Sequence, residues 1–315
     1  MVLPGDQLEE LCKNAQNEIV LVAPFVKVSA LERLLINIAD TVVLQCVTRW
    51  RPDEIVAGVS DLEIWPLLKE RSNTSLWLRS DLHAKFYRVD NQCLVGSANI
   101  TLTALGWIRQ SNFELLVPIL ANNPLLKVFE LELFKGCSQV DDSLFNQVLQ
   151  VVQFFAENRV NLAPPQSDET NAILDEIEAP SQSAHMWLPT LRHPEKLYLA
   201  YSGNLEALTN TAKIMALSDL QALSIPPGLP RPIFERYVGT LLLQRPIIRK
   251  VDEFVITPQR FGAVRDLLAS LPCANISNFD ARQAWQTLMR WLRYFLPDRY
   301  GLIVPRHSEV FFREK

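Results

Sequence analysis

Four side chains within one short segment suit chemistry on a phosphodiester. His83 and Lys85 are two positions apart, and the tetrad Gly96-Ser97-Ala98-Asn99 follows. Residues two apart in a strand project from the same face, so the imidazole and the ammonium are expected side by side. An imidazole is a nucleophile, an ammonium binds non-bridging oxygens, and a hydroxyl and a carboxamide complete an anion site. The spacing therefore predicts a phosphate-directed site.

The pattern is specific. With Asp90, the first two residues form the motif HxKx4D, which chance would place in about one chain in fifty of this length. Requiring the motif GSxN just downstream lowers that chance roughly a thousandfold. These motifs are therefore the strongest functional signal in the sequence.

The chain resembles the phospholipase D superfamily, whose signature is HxKx4D followed by GSxN. The resemblance covers at least residues 5–117 and includes Ala23-Pro24-Phe25, Val47-Thr48-Arg49 and Asn112-Phe113-Glu114. Five residues separate Asp90 from Gly96, where six are commoner in the family, and a tighter hairpin would absorb the difference. In this family the aspartate of HxKx4D is more structural than chemical.

The resemblance implies a role for each remaining motif residue. His83 is the nucleophile that forms a phosphohistidine, while Lys85 and Asn99 bind the phosphoryl oxygens with help from Ser97. Glu114 matches the downstream acid that holds the histidine in its reactive tautomer. The expected catalytic set is His83, Lys85, Ser97, Asn99, Glu114 and Asp90.

A second histidine is needed to protonate the leaving oxygen. Lysine does not stand two residues after His185, His193 or His307, so the chain carries one motif copy. Two chains are therefore expected to meet across a two-fold axis to complete the site. Single-copy members that the chain resembles are homodimeric nucleases, including metal-independent restriction enzymes with a separate DNA-recognition domain.

Other candidate sites are weaker. Arg49 follows a predicted parallel strand, where α/β folds commonly bind ligands, and both a substrate-phosphate contact and a surface ion pair remain open. A phosphate loop, an HExxH motif and a carboxylate pair are absent, and the five cysteines form no CxxC pair. The sequence predicts no metal site and no cofactor.

The chain is predicted to have two domains. We expect a phospholipase D-like catalytic domain at 1–162, an acidic Pro/Ser-rich linker at 163–183, and a basic α+β domain at 184–315 that is a candidate for nucleic-acid binding. The first should be a mixed-sheet α/β/α sandwich. Its predicted strands are 18–23, 41–48, 75–78, 84–89, 93–95 and 113–117, with helices at 6–17, 29–39, 124–135 and 142–158.

The second half is harder to interpret. A helix at 280–295, with an apolar stripe and three arginines on its polar side, precedes a hairpin of 301–304 and 309–313. This is the outline of a winged helix, although a plain α+β domain fits too. The other predicted elements are strands at 196–201 and 254–256 and helices at 204–217 and 258–271.

Charge is divided unevenly along the chain. Residues 181–315 hold 17 Lys and Arg against 11 Asp and Glu, while the chain as a whole has a net charge of −4. A basic half is compatible with a polyanionic partner. The leading hypothesis is a cytoplasmic, homodimeric, metal-independent DNA endonuclease, resembling subunits of phage-defence or modified-DNA restriction systems. The alternatives are a non-cleaving nucleic-acid-binding subunit of a larger complex and a lipid phosphodiesterase.

Overall fold

A computed structural model describes residues 2–157, 186–276, 279–305 and 309–314. The chain divides into two compact units, residues 1–152 and 153–315. The predicted linker at 163–183 lies outside the described residues, as do His185 and His307. The predicted domain boundaries therefore remain a prediction.

The first unit is built on a mixed sheet. Its strand order is β6-β5-β4-β1-β2-β3-β7 across the described residues, with β1, β2 and β3 parallel to one another and β4, β5 and β6 joined as an antiparallel meander. The strands are β1 (Glu18–Val22), β2 (Val43–Thr48), β3 (Thr74–Leu78), β4 (Lys85–Val89), β5 (Gln92–Gly96), β6 (Leu116–Leu120) and β7 (Ser138–Gln139).

Helices accompany this sheet, as expected of an α/β sandwich. They are α1 (Pro4–Lys13), α2 (Val28–Leu35), α3 (Pro52–Val56), α4 (Ile64–Lys69), α5 (Pro124–Lys135) and α6 (Asp142–Glu157). Strand β1 is apolar and almost wholly buried, as required of a strand with neighbours on both edges. The predicted mixed-sheet α/β fold is confirmed.

One strand prediction in this unit is wrong in position. The strand expected at 113–117 begins at Leu116 instead. Phe113 and Leu115 are 91% and 63% exposed, so their apolar character does not reflect burial in the sheet. The segment before Leu116 is loop, and this brings Glu114 to the site described below.

The second unit is mainly helical. Its helices are α7 (Leu197–Tyr201), α8 (Asn210–Leu223), α9 (Arg231–Leu243), α10 (Pro246–Phe254), α11 (Phe261–Ser270) and α12 (Ala281–Phe295). Three short strands, β8 (Gln259–Arg260), β9 (Tyr300–Ile303) and β10 (Val310–Arg313), form a second sheet in the order β8-β10-β9. The predicted terminal hairpin is confirmed by the antiparallel pairing of β9 with β10.

Two strands predicted in this unit are wrong. The segment 196–201 is helical. Lys196 ends a 3₁₀ turn that Pro194 begins, and α7 follows it with Leu197 and Ala200 buried at helical spacing. The segment 254–256 begins with Phe254, the last residue of α10, and α10 has proline at its start.

Several aromatic and charged residues of the second unit are buried in its core. Trp285 and Trp291 are fully buried, so they belong to the core and do not form a base-stacking surface. Asp252 is fully buried too and contacts Arg249, Arg299 and the hydroxyl of Tyr300. A run of charges such as the one at 249–253 is typical of a solvated face, but Arg249 and Asp252 are buried as an ion pair, because a buried carboxylate requires such partners.

Candidate active site at one edge of the first sheet

The motif residues lie along one edge of the seven-stranded sheet. Strands β1 and β2 run parallel and end there at Val22 and Thr48, while β4 runs the opposite way and begins there at Lys85. Gly96 at the end of β5 pairs with Lys85 on one side and with Leu116 of β6 on the other. The carboxyl ends of parallel strands form the usual ligand-binding edge of such folds.

The backbone on either side of His83 is held by two cations. The Lys85 ammonium donates to the His83 carbonyl at 2.8 Å, and the Arg49 guanidinium donates to the Leu82 carbonyl at 3.0 Å. Arg49 also forms an ion pair with the buried carboxylate of Glu54. Burial raises the pKa of Glu54 above its ordinary value, although the neighbouring Arg49 acts against this. The His83 side chain is exposed.

Arg49 therefore has a positioning contact that its place after β2 did not predict. The sequence left open a substrate-phosphate contact or a surface ion pair for Arg49. The structure shows an ion pair with Glu54, and this pair is largely buried. Contact with a substrate phosphate remains a prediction.

The GSxN segment is anchored to the chain that follows β1. The backbone N–H of Phe25 donates to the Asn99 side-chain oxygen at 3.4 Å, and that of Lys27 donates to the Ile100 carbonyl at 2.9 Å. The hydroxyl of Tyr87 donates to the Ala98 carbonyl at 2.6 Å. The carboxamide of Asn99 is thus fixed beside the end of β1, on the sheet edge where β4 begins.

Glycine is required at the first position of this segment by close approach. A methyl group on Gly96 would lie 1.9 Å from the carbonyl oxygen of Leu115, which is backbone and cannot rotate aside. The same carbonyl accepts a hydrogen bond from the Ser97 N–H at 3.0 Å. Gly96 thus lets the loop before β6 approach β5.

That approach joins Ser97 to Glu114. The Ser97 hydroxyl donates to one carboxylate oxygen of Glu114 and accepts a hydrogen bond from the Leu115 N–H at 3.1 Å. The side-chain amide of Asn112 donates to the other carboxylate oxygen at 3.1 Å. Glu114 therefore belongs to the site, and its observed partners are Ser97 and Asn112. Its expected action on the His83 tautomer remains a prediction.

Asp90 lies apart from this cluster. It follows the other end of β4, and its carboxylate accepts hydrogen bonds from the N–H groups of Gln16, Asn17 and Glu18 at 2.8–2.9 Å. Partial burial acts to raise the pKa of Asp90, but these donors outweigh it and the pKa falls below its ordinary value. Its φ of +49° places it in the left-handed region, which aspartate tolerates better than most residues. Its observed contacts are those of a structural residue that ties the β4–β5 turn to β1.

Tyr87 is a site residue that the sequence analysis missed. It is fully buried, and burial raises its pKa well above the ordinary value, with a smaller contribution from Glu114. The signal was present in the spacing, because Tyr87 continues the period of two that relates His83 to Lys85. Its neutral hydroxyl is a permanent donor to the GSxN backbone.

Other groups with reactive potential are buried. All five cysteines are free and buried, and burial raises the thiol pKa to about 12 for Cys12, Cys46 and Cys137 and to about 11 for Cys93. Across the described parts of the chain, no cluster of three or more His, Cys, Asp or Glu side chains is arranged to hold a metal ion. None of the described helices has the length and apolar character to cross a membrane.

The sheet of the first unit brings both sequence motifs to one edge. Lys85 of HxK begins β4, which pairs with β5, and Gly96 of GSxN ends β5. Glu114 reaches the same edge from the loop before β6.

No protein-family model matches the chain, and no curated protein matches it. Among solved structures, NucT from Helicobacter pylori is 13% identical over 43% of this chain and 89% of its own, with a TM-score of 0.34. Nuc from Salmonella typhimurium, described as a phospholipase D family member, is 18% identical over 43% and 90%, also at 0.34. Phosphatidylserine synthase from Haemophilus influenzae is 12% identical over 64% and 57%, at 0.39.

Proposed function

We propose that this chain is a metal-independent phosphodiesterase that cleaves DNA through a covalent phosphohistidine. The observation that carries the proposal is that the segments bearing His83, Lys85, Ser97 and Asn99 meet at one sheet edge, where the His83 side chain is exposed. In this scheme Lys85 supplies the positive charge that a metal ion supplies in other phosphodiesterases.

The reaction has two balanced steps. A ring nitrogen of His83 attacks phosphorus, the bond to the leaving oxygen breaks, and a second histidine donates a proton to that oxygen. Water then attacks the phosphohistidine, gives its proton to the second histidine, and the P–N bond breaks to release His83. Lys85 and Asn99 stabilise the non-bridging oxygens, whose charge rises in both transition states.

The second histidine comes from a second copy of the chain. The loop that carries Glu114 supports this, because Phe113 and Leu115 on either side of it are 91% and 63% exposed. Ile108 is a further exposed apolar side chain in the loop before β6. Large apolar side chains clustered beside a polar site are typical of a surface that another protein covers. A homodimer across this face would bury them and bring two His83 side chains together.

Nucleic acid is the favoured substrate because of charge. Residues 181–315 carry 17 Lys and Arg against 11 Asp and Glu, an excess that suits a polyanion. We assign catalysis to the predicted domain at 1–162 and substrate binding to that at 184–315. A role in phage defence or restriction inside the cell follows from the sequence resemblance.

The direct test is cleavage in a chelator. Purified full-length protein is incubated with supercoiled plasmid in EDTA, alongside His83→Ala and the matched control His193→Ala, an exposed histidine of the second unit. We expect nicking by the wild type and the control and none by His83→Ala. Activity that required added magnesium would overturn the phosphohistidine mechanism. If the protein hydrolyses bis(p-nitrophenyl) phosphate but does not cleave plasmid, single-stranded DNA or RNA, the phosphodiesterase activity is supported and the nuclease function is overturned.

A further inference from the structure

The second unit has the chain order and the sheet order of a winged helix. Helix α10 is followed by β8, α11, α12, β9 and β10, and the strands pair in the order β8-β10-β9. Strand β8 thus lies beside β10, and the hairpin of β9 and β10 completes the three-stranded sheet. Of the two architectures open from the sequence, this topology favours the winged helix, in which α12 takes the place of the helix that reads DNA.

The inward face of α12 is fixed by aromatic packing. Trp285 lies edge-on to Phe311 of β10, with ring centroids 5.1 Å apart, and 6.4 Å from Phe261 of α11. Trp291 donates to the carbonyl of Leu191 at 2.7 Å and is fully buried. These contacts determine which face of α12 points away from its own unit.

The outward face carries only arginine and glutamine among its long polar side chains. At 100° per residue, the side chains of five residues fall within an arc of about 100°. They are Arg282, Gln283, Gln286, Arg290 and Arg293. Helix α12 contains no acidic residue, and its first N–H groups are capped by Asp280.

The charge of this face is not neutralised within the unit. Arg282, Arg290 and Arg293 are exposed, and none of them forms a salt bridge with a carboxylate in the part of the chain that the structure describes. Arg192 adds a fourth guanidinium, which donates to Gln283 at 2.8 Å, and it lines the same groove as Arg282 and Arg290. Two other exposed arginines of the unit, Arg231 and Arg265, are each paired with an acid.

We propose that the Arg/Gln face of α12 binds duplex DNA by entering its major groove. Arg282 and Arg293 are eleven residues apart, which is about 16 Å along a helix. The major groove is about 12 Å wide and admits one helix, so such a face can reach bases and both flanking phosphate rows. Arginine pairs with guanine and glutamine with adenine, and arginine also binds phosphates. The inference deepens the proposed nuclease function by naming the face that holds its substrate.

The test measures binding separately from cleavage. The full-length His83→Ala chain is titrated into a fluorescent 24-base-pair duplex, and anisotropy is recorded at several salt concentrations. The α12 variant adds R282Q, R290Q and R293Q, and the matched control adds K213Q, K250Q and R265Q, which also removes three positive charges from the second unit. Circular dichroism and thermal melting verify that both variants fold.

We expect the α12 variant to bind at least about tenfold more weakly than the parent chain, with the salt slope reduced by about one for each phosphate that is no longer bound. The control should bind within about twofold of the parent. Equal weakening in both variants would attribute binding to net charge and overturn the proposal. Absence of duplex binding by the parent, or tighter α12-dependent binding of single-stranded RNA or DNA, would overturn it too. If duplex binding depends on α12 but the wild-type protein does not cleave DNA, the proposed nuclease function is contradicted and the α12 proposal stands.

Discussion

The Ser97 hydroxyl links the GSxN motif to Glu114 by donating to its carboxylate. The same oxygen accepts the N–H of Leu115 at 3.1 Å, so Ser97 also fixes the backbone that carries Glu114. Serine is thereby both a candidate donor to substrate and the connection between β5 and the loop before β6. If the Ser97 hydroxyl turned from Glu114 to a phosphoryl oxygen, the Glu114 carboxylate would lose a hydrogen bond when substrate binds. Substrate binding and the hydrogen bonding of Glu114 would then be coupled.

A double-mutant cycle on Ser97 and Glu114 tests this coupling. Ser97→Ala and Glu114→Gln should each lower kcat by a factor on the order of 10 to 10², in the range of a lost oxyanion donor or its support. The double variant should be little worse than the poorer single variant, because both remove one interaction. The control cycle pairs Ser97→Ala with Glu32→Gln on α2, an exposed residue, and its effects should multiply. Multiplying effects for Ser97 and Glu114 as well would show that they act separately.

Mixed dimers test the shared site. Differently tagged wild-type and His83→Ala chains are co-expressed, and heterodimers are isolated by two affinity steps. We expect them to be inactive, because one histidine must attack phosphorus while the other protonates the leaving oxygen. In freely exchanging mixtures, activity should follow the square of the wild-type fraction. Heterodimers with half the wild-type activity would mean that each chain works alone.

Gly96→Ala tests the close approach of the GSxN segment to β6. Its methyl group would lie 1.9 Å from the Leu115 carbonyl oxygen, so backbone must shift. We expect a loss of about 1–3 kcal/mol in unfolding free energy, measured by urea denaturation, together with loss of activity. Gly262→Ala is the control, because its methyl group would find its nearest neighbour, an arginine side-chain end, at 3.9 Å. A fully active Gly96→Ala would contradict the required proximity of β5 and the Glu114 loop.

Asp90→Asn should destabilise the protein in a pH-dependent way. The native pKa of Asp90 is lowered from an ordinary value of 3.8, so its carboxylate stabilises the fold above that value. The contribution is lost as pH falls through the native pKa. We expect a difference of about 1 kcal/mol or more from wild type at pH 7 in urea denaturation, which shrinks as the pH falls below 3.8 and the carboxylate becomes protonated. Asp40→Asn removes an exposed carboxylate that pairs with Arg71, and it should change the stability little. A pH-independent difference would assign the effect to packing.

The motif side chains and the hairpin that presents them are predictable from local sequence. His83, Lys85 and the GSxN tetrad lie within a segment of seventeen residues whose strands pair with their chain neighbours. Short apolar runs bounded by turn residues are a local property, so β4 and β5 could be predicted closely, whereas the strand predicted at 113–117 begins at Leu116. The helix at α12 was equally clear, because its apolar stripe repeats over four turns.

Which distant residues support the site depends on the tertiary structure. Arg49 meets the Leu82 carbonyl, Asp90 meets the turn before β1, and Glu114 meets Ser97 only because parallel and antiparallel strands bring their ends to defined sheet edges. Short apolar runs such as 196–201 fit helix and strand patterns equally, so burial against neighbours settles them. The charge of Asp252 likewise gave no sign of burial, because its partners Arg299 and Arg313 come from far along the chain. Ion pairs between residues far apart in sequence form only when the fold brings them close together, and a local sequence pattern does not show this.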